Sequence, residues 1–166
     1  MGFKVDFSDL EKLKDALIIT ENEFNSFLYD FLLEMAERVI AKTKPRTPVD
    51  TGALRSAWAV ETDKVTASTK TRTSKRTGQK VDTTAYSQEG NVIVSGSGKY
   101  LAVVLSNPME YATEIEYGHR IVRSGVEVGW YEGVFMLRVS IDEIDKQMPV
   151  RYEKEFKRFC KAKGLD

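Results

Sequence analysis

The sequence feature that most constrains the fold is a stripe of apolar side chains recurring every three or four residues between positions 21 and 42. The charged residues Glu34, Glu37, Arg38 and Lys42 occupy the other face. This period predicts an amphipathic helix of about 33 Å at 1.5 Å per residue. An aromatic-rich stripe of this kind is expected to pack in a core, or in part against a neighbouring subunit. It comprises Phe24, Phe27, Leu28, Phe31, Leu32, Met35, Val39 and Ile40.

A shorter helix is predicted before the long one, capped by Ser8 or Asp9. Thr20 and Glu23 have the spacing of a capping box, in which each side chain bonds the other residue's backbone amide. The long helix is therefore expected to begin near Thr20, separately from the first.

Two prolines are expected to end the long helix, because proline has no amide hydrogen and clashes with the preceding turn. They are Pro45 and Pro48. Asp50 or Thr51 is then predicted to cap a second, short helix that continues to Trp58. Extended structure is expected from Trp58 to residue 67, where β-branched residues are frequent.

Residues 67–90 are polar, and we expect them to form a flexible basic loop or the tip of an extended hairpin. A solvated loop, a non-specific contact to a phosphate backbone and a loop that orders against neighbouring subunits are all compatible with this composition. The stretch between Trp58 and Tyr86 has no aromatic residue, which disfavours single-strand binding by stacking. The basic cluster comprises Lys64, Lys70, Arg72, Lys75, Arg76 and Lys80.

The second half of the chain begins with two predicted strands, at 92–94 and 100–105, joined by a turn at 95–99. A helix is expected from Asn107 to Gly118, with Gly118 ending it in the left-handed conformation. Residues 119–130 alternate weakly and predict a loop with short strands.

A helical period resumes after Gly133 and continues to Gly164, which is expected to end it. Pro149 predicts either a kink or two helices in series. The order of elements favours a single α+β domain over residues 1–166. In this fold, a small antiparallel sheet packs against the long N-terminal amphipathic helix and the C-terminal helix or helices.

Composition excludes several classes of function. The formal net charge is zero, so no overall electrostatic attraction favours nucleic acid or a membrane. Cys160 is the only cysteine, which excludes an internal disulfide. No apolar run approaches the length of a membrane span, and the first residues do not resemble a signal peptide. We therefore expect a protein made in a reducing cytoplasm.

The residues that could carry chemistry are few. His119 is the only histidine, and it lies near Glu114 and Glu116. Helix positions two residues apart point to different faces, so convergence of these groups into a metal or acid–base site is not expected. No nucleophile motif or phosphate-binding loop is present. The sequence predicts a protein that is not an enzyme and holds no metal or cofactor.

Two motifs carry a resemblance to a known family. The first is Thr47-Pro48-Val49-Asp50-Thr51-Gly52-Ala53-Leu54-Arg55-Ser56-Ala57-Trp58, and the second is Tyr111-Ala112-Thr113-Glu114-Ile115-Glu116-Tyr117-Gly118-His119. Together they resemble the signatures of the phage head–tail joining and tail-completion family typified by gene product ten of the HK-type lambdoid phages. The amphipathic helix before them and the C-terminal helix after them extend the resemblance over most of the chain.

The resemblance implies a structural virion protein of the neck or tail, assembled in the bacterial host. Its relatives form rings, commonly hexamers, that join the head connector to the tail or complete the tail end. The implied partners are other copies of the chain, connector or adaptor proteins, and tail-tube or tail-terminator proteins; double-stranded DNA in the channel is a further candidate. The rival hypothesis is a non-specific double-stranded nucleic-acid-binding module that acts through the basic loop.

The motif residues are expected to build the fold or a subunit interface. Arg55 is expected to project away from the apolar anchors Leu54 and Trp58, where it can pair with an acid such as Glu116, either within a subunit or across an interface. The basic cluster defined above supplies the candidate contacts to DNA, the channel or a partner. The motif positions are Pro48, Asp50, Thr51, Gly52, Leu54, Arg55, Tyr111, Glu116, Tyr117 and Gly118.

Overall fold

The computed structural model describes residues 8–92, 94–96 and 101–164, with most side chains from Thr20 onward. Four helices lie in this part of the chain: α1 (Ser8–Arg46), α2 (Ala53–Ser56), α3 (Ala112–Tyr117) and α4 (Met136–Lys163). The described strands are β1 (Ala59–Val60), β2 (Thr62–Thr73), β3 (Lys80–Val92), β4 (Val94–Gly96), β5 (Leu101–Val103), β6 (Leu105–Ser106), β7 (Gly118–Arg123) and β8 (Val126–Glu132).

The described strands pair antiparallel, and the α+β prediction is confirmed. They form four two-stranded ribbons: β1 with β6, β2 with β3, β4 with β5, and β7 with β8. Of the strand predicted at 92–94, Val92 ends β3 and Val94 begins β4; of the strand predicted at 100–105, residues 101–103 form β5 and Leu105 begins β6. Residues 95 and 96, predicted to lie in the turn, belong to β4 instead, and residues 97–99 lie outside the described residues.

Helix α1 is continuous from Ser8 to Arg46, so the predicted break near Thr20 was wrong. No glycine or proline occurs between Ser8 and Lys44, and without such a residue the capping signal does not interrupt the backbone ladder. Pro45 lies in the last turn of the helix.

Helix α4 is also continuous and includes Pro149, so of the two alternatives predicted for Pro149, two helices in series was wrong. It packs antiparallel to α1, as two contacts show: Lys163 donates to Glu23 at one end of the pair, and Arg46 donates to Glu143 at the other. Packing of α4 against α1 on both sides of Pro149 stabilises the helix, although proline lacks the amide hydrogen that would complete the backbone hydrogen bonds. Ring contacts along this helix pair involve Phe24, Phe27, Phe31, Tyr152, Phe156 and Phe159.

The core lies where α1 and α4 meet the short elements. One buried cluster joins the two motifs to both long helices through Ile40, Leu54, Trp58, Ala112 and Met136. A second lies between α1 and α4 and comprises Phe31, Met35, Val39 and Ile144. Burial of these side chains supplies the main driving force for folding. None of the helices in the described ranges has an apolar stretch that would cross a membrane.

Helix α3 begins at Ala112, later than the predicted start at Asn107. The Asn107 side chain accepts a hydrogen bond from Met109 N (3.2 Å) and donates one to Leu54 O (2.9 Å). Asparagine at this position therefore closes a turn and ties that turn to the first motif, and the helix starts after it.

Candidate functional site

The first motif forms a tight corner (residues 47–58) between α1 and β1. Trp58 Nε1 donates to Thr47 Oγ1 at 2.9 Å, and Arg55 donates to Thr47 O at 3.1 Å. Leu54 and Trp58 are buried, while Pro48 is exposed. The Arg55 guanidinium thus bonds a backbone carbonyl inside the corner, and the expected pairing of Arg55 with Glu116 within a subunit was wrong.

The start of α2 differs from the prediction for Asp50. Thr51 Oγ1 accepts a long hydrogen bond from Ala53 N (3.4 Å), and Gly52 has a left-handed φ of 79°. Asp50 instead accepts hydrogen bonds from Ser74 Oγ (2.7 Å) and the amide of Arg76 (3.2 Å). Its carboxylate therefore binds the chain more than twenty residues downstream.

Residues 62–92 form a hairpin, which we call the basic arm, with β2 and β3 as its strands. Its turn contacts the corner: Ser74 bonds Asp50, and Arg72 donates to Thr51 O at 3.1 Å. The base of the arm is also anchored, because Gln88 Oε1 accepts from Thr62 N (2.9 Å) and the Gln88 amide donates to Ser106 Oγ. The arm thus folds back so that its turn lies against the corner, which precedes the arm in the chain.

The contact between the arm and the corner includes two hydrogen bonds to the Asp50 carboxylate. Hydrogen bonds from the Ser74 hydroxyl and the Arg76 amide hold the pKa of the Asp50 carboxyl below its ordinary value. Ser74 is buried by the contact, with 5% of its surface exposed.

The six predicted cations divide into two groups. Arg72 is half-buried, and its guanidinium bonds Thr51 O and, at 3.4 Å, Ser56 Oγ. The other five side chains are exposed and form no ion pair with a described residue: Lys64, Lys70, Lys75, Arg76 and Lys80.

Glu116 of the second motif caps the N-terminus of α4, although it lies 21 residues before Leu137 in the chain. Glu116 is buried, with 4% exposed, and its carboxylate oxygens accept the amides of Leu137 (3.0 Å) and Arg138 (2.9 Å). The N-cap residue of α4, Phe135, has a positive φ of 51° and no capping side-chain bond. Glu116 thus supplies the negative charge that a helix N-terminus favours.

Gly118 lies at a close crossing of two backbone segments. Phe135 N donates to Glu116 O at 3.0 Å, and Val134 N donates to Ile115 O at 2.9 Å. A Cβ at Gly118 would clash with the Tyr131 carbonyl oxygen, so glycine is required by space. Gly118 does end α3, but its φ of 87° and ψ of 171° lie outside the left-handed helical region that was predicted.

The two tyrosines of the second motif are on the surface. Tyr111 is 40% exposed and Tyr117 is 54% exposed. Desolvation raises the pKa of the Tyr111 hydroxyl. The Tyr117 ring meets the Phe135 ring edge-on, at 6.4 Å between centroids.

The segment predicted as a loop with short strands forms an antiparallel ribbon, β7–β8, whose register shifts between Ile121 and Val122; we call it the apolar hairpin (residues 118–132). Every residue of β8 is exposed. Apolar side chains at 126, 128 and 130 alternate as in a strand, and this was the sequence signal available. The exposed apolar side chains are Val122, Val126, Val128, Trp130 and Tyr131.

Residues 9–118 match a family model described as "Bacteriophage HK97-gp10, putative tail-component". The chain belongs to this family. The matched range contains the corner, the basic arm and the second motif up to Gly118. No curated protein and no solved structure gave a significant match.

Of the three groups considered for chemistry in this tail-component family member, Glu116 and His119 make contacts within the chain. Glu116 binds the α4 amides, and the His119 ring stacks on Tyr131 with centroids 5.3 Å apart. Glu114 is exposed on α3. Within the described ranges, no group of three or more His, Cys, Asp or Glu side chains is arranged to hold a metal ion.

Proposed function

We propose that this tail-component protein is a subunit of a ring in the phage neck or at the head-facing end of the tail. In this role, copies of the chain join the head connector to the tail or complete the tail end. Its partners are other copies of itself, the connector or adaptor protein, and the tail-tube or tail-terminator protein.

The apolar hairpin carries this proposal. Val126 is 65% exposed and Trp130 is 55% exposed, on a ribbon whose β8 strand has no buried residue. Val126, Val128 and Trp130 alternate along β8 and so lie on one face of the strand, and exposed apolar side chains arranged in this way are typical of a protein–protein contact. These exposed side chains support the proposal that the protein functions within an assembly of subunits.

The test is to disrupt the gene in its phage or prophage and examine the particles. We expect full heads and separate tails, or tails with an abnormal head-facing end, and we expect electron microscopy of wild-type particles to locate an affinity-tagged copy at the neck. Normal infectious particles without the protein, or wild-type particles in which mass spectrometry does not detect it, would contradict the proposal.

A second candidate function is non-specific binding of double-stranded DNA through the basic arm. It is favoured by the five exposed cations of the arm, since mobile cations suffice for contact with phosphates. Binding of duplex DNA at two salt concentrations, with and without Lys70→Glu and Lys75→Glu, tests it. A steep salt dependence that disappears in the variant supports DNA binding; equal binding by both proteins contradicts a role for the arm.

A further inference from the structure

The charges of this formally neutral chain are segregated. From Lys64 to Lys80 the arm contains six cations and no acid. From Glu21 to Glu37 helix α1 contains five acids and no cation. We call this stretch the acidic half of α1, and its acids are Glu21, Glu23, Asp30, Glu34 and Glu37.

Only part of the acidic half is neutralised within the chain. Glu23 pairs with Lys163 at 2.6 Å, and Glu34 pairs with Arg38 at 2.6 Å. Three acids are exposed and form no ion pair with a described residue: Glu21, Asp30 and Glu37. Both oppositely charged segments therefore present unpaired charge to the surface.

The arm of one copy is held away from its own acidic half. Its turn is fixed to Asp50, which follows the C-terminal end of α1 at Arg46. Asp30 lies sixteen residues before that end, which corresponds to about 24 Å along a helix. No ion pair joins the arm to α1 in the described structure.

We infer that the basic arm of one copy docks along the acidic half of α1 on the next copy. The inference rests on the proposed function, in which identical copies assemble side by side. Two different and complementary patches on one subunit give a head-to-tail contact, which is the kind of contact that closes a cyclic ring. Opposite charges also guide each copy into register during encounter.

Charge complementarity favours docking of the basic arm on the neighbouring copy's helix over binding of the arm to DNA. A contact with the neighbouring helix neutralises both charged segments at once, whereas a contact with DNA neutralises only the arm. The acids of α1 would also repel phosphates brought near the subunit. DNA binding by the arm is thus the competing outcome of the test.

The first experiment is a charge swap read out by analytical ultracentrifugation. One variant carries Lys70→Glu and Lys75→Glu, a second carries Asp30→Lys and Glu37→Lys, and a third combines all four. We expect wild-type self-association at about 50 mM salt and its loss at about 500 mM, where charges are screened over a few ångströms. Each double variant should raise the dissociation constant at least tenfold, and the combined variant should recover most of the affinity.

The matched control reverses two exposed lysines elsewhere, Lys146→Glu and Lys154→Glu on α4. It changes net charge as the arm variant does, so self-association within about threefold of wild type shows that position decides the effect. All substituted residues are exposed, and circular dichroism checks that each variant is folded. Equal weakening by control and arm variants overturns the inference.

A second experiment identifies the contact directly. Carbodiimide forms an amide bond between a lysine amine and a carboxylate in contact, with no spacer. In a mixture of nitrogen-14 and nitrogen-15 copies, we expect crosslinks of mixed isotope between the 64–80 and 21–37 segments. Crosslinks confined to single copies overturn the inference.

Three results separate failure of the docking from failure of the proposed function. A wild type that stays monomeric at low salt overturns the docking, as does an arm variant that loses duplex DNA binding but self-associates like wild type. In both cases a protein still found at the neck of particles leaves the proposed function in place. Absence of the protein from particles overturns the proposed function itself.

Discussion

Glu116 shows how a single buried charge can organise a fold whose parts are far apart in sequence. Its carboxylate binds two amides at the start of α4, and its own backbone carbonyl accepts the amide of Phe135. One residue of α3 therefore fixes where the C-terminal helix begins. The chemistry of this residue is that of a helix cap, since its carboxylate oxygens accept hydrogen bonds from main-chain amides.

Replacing Glu116 by Gln should destabilise the protein by about 1–2 kcal/mol, because the amide offers one acceptor oxygen and no charge to the α4 N-terminus. Urea unfolding measures the change. Glu114→Gln is the matched control, since Glu114 is exposed on the same helix and should change stability by under about 0.5 kcal/mol. Equal effects at the two positions would refute the capping role.

Gly118→Ala should destabilise the fold by more than about 1 kcal/mol, because the new methyl group meets the Tyr131 carbonyl and the positive φ is strained for alanine. Gly125→Ala separates the two causes, since Gly125 also has a positive φ but has open space around its Cβ position. Thermal unfolding of both variants gives the comparison. A loss at Gly118 no larger than at Gly125 would show that the backbone crossing tolerates a side chain.

At the scale of elements, the arm is held to the corner by a titratable contact. Asp50 accepts its hydrogen bonds as a carboxylate, and its pKa is lowered in the folded protein. A lowered pKa means that the stabilisation is present above the ordinary value of the group and is lost as pH falls through the folded value. The Asp50 contact should therefore be present at neutral pH and should weaken in acid, while the bond from Arg72 to Thr51 O does not depend on this titration.

The amide signal of Arg76 reports this contact in a nuclear magnetic resonance titration. We expect its chemical shift to titrate with a midpoint below 3.8, the ordinary value for aspartate. In Asp50→Asn the same signal should lose this transition. A midpoint at or above the ordinary value would mean that the carboxylate does not hold the arm.

The sequence predicted those elements whose signals are local. The apolar period identified α1 and α4, and Gly164 ends α4 in a left-handed conformation as expected. Asp50 and Glu116 were harder to interpret, because the amides they bind lie more than twenty residues away in the chain. The apolar hairpin was predicted only as a loop with short strands, because its apolar side chains are exposed and produce no stripe facing a core.

At the scale of the whole molecule, the apolar hairpin should matter for assembly and little for folding. Val126→Lys with Val128→Lys should leave the free energy of unfolding within about 0.5 kcal/mol of wild type, because both side chains are more than half exposed. The same variant should be depleted from particles at least tenfold, since two charges would be buried in the contact. Quantitative mass spectrometry of particles made with the variant measures this.

Val150→Lys is the control, since Val150 is 73% exposed on α4 and lies outside the hairpin. It should enter particles like wild type. Normal incorporation of the double hairpin variant would exclude the hairpin as a contact in the proposed ring.

The antiparallel pairing of α1 with α4 has a consequence for the order of synthesis and assembly. Met136 and Ile144 complete the two buried clusters, and Glu143 bonds Lys42 across 101 residues of chain. A ribosome-bound chain that ends before α4 leaves the apolar stripe of α1 uncovered and cannot form the native core. The native core therefore forms only after α4 has been translated.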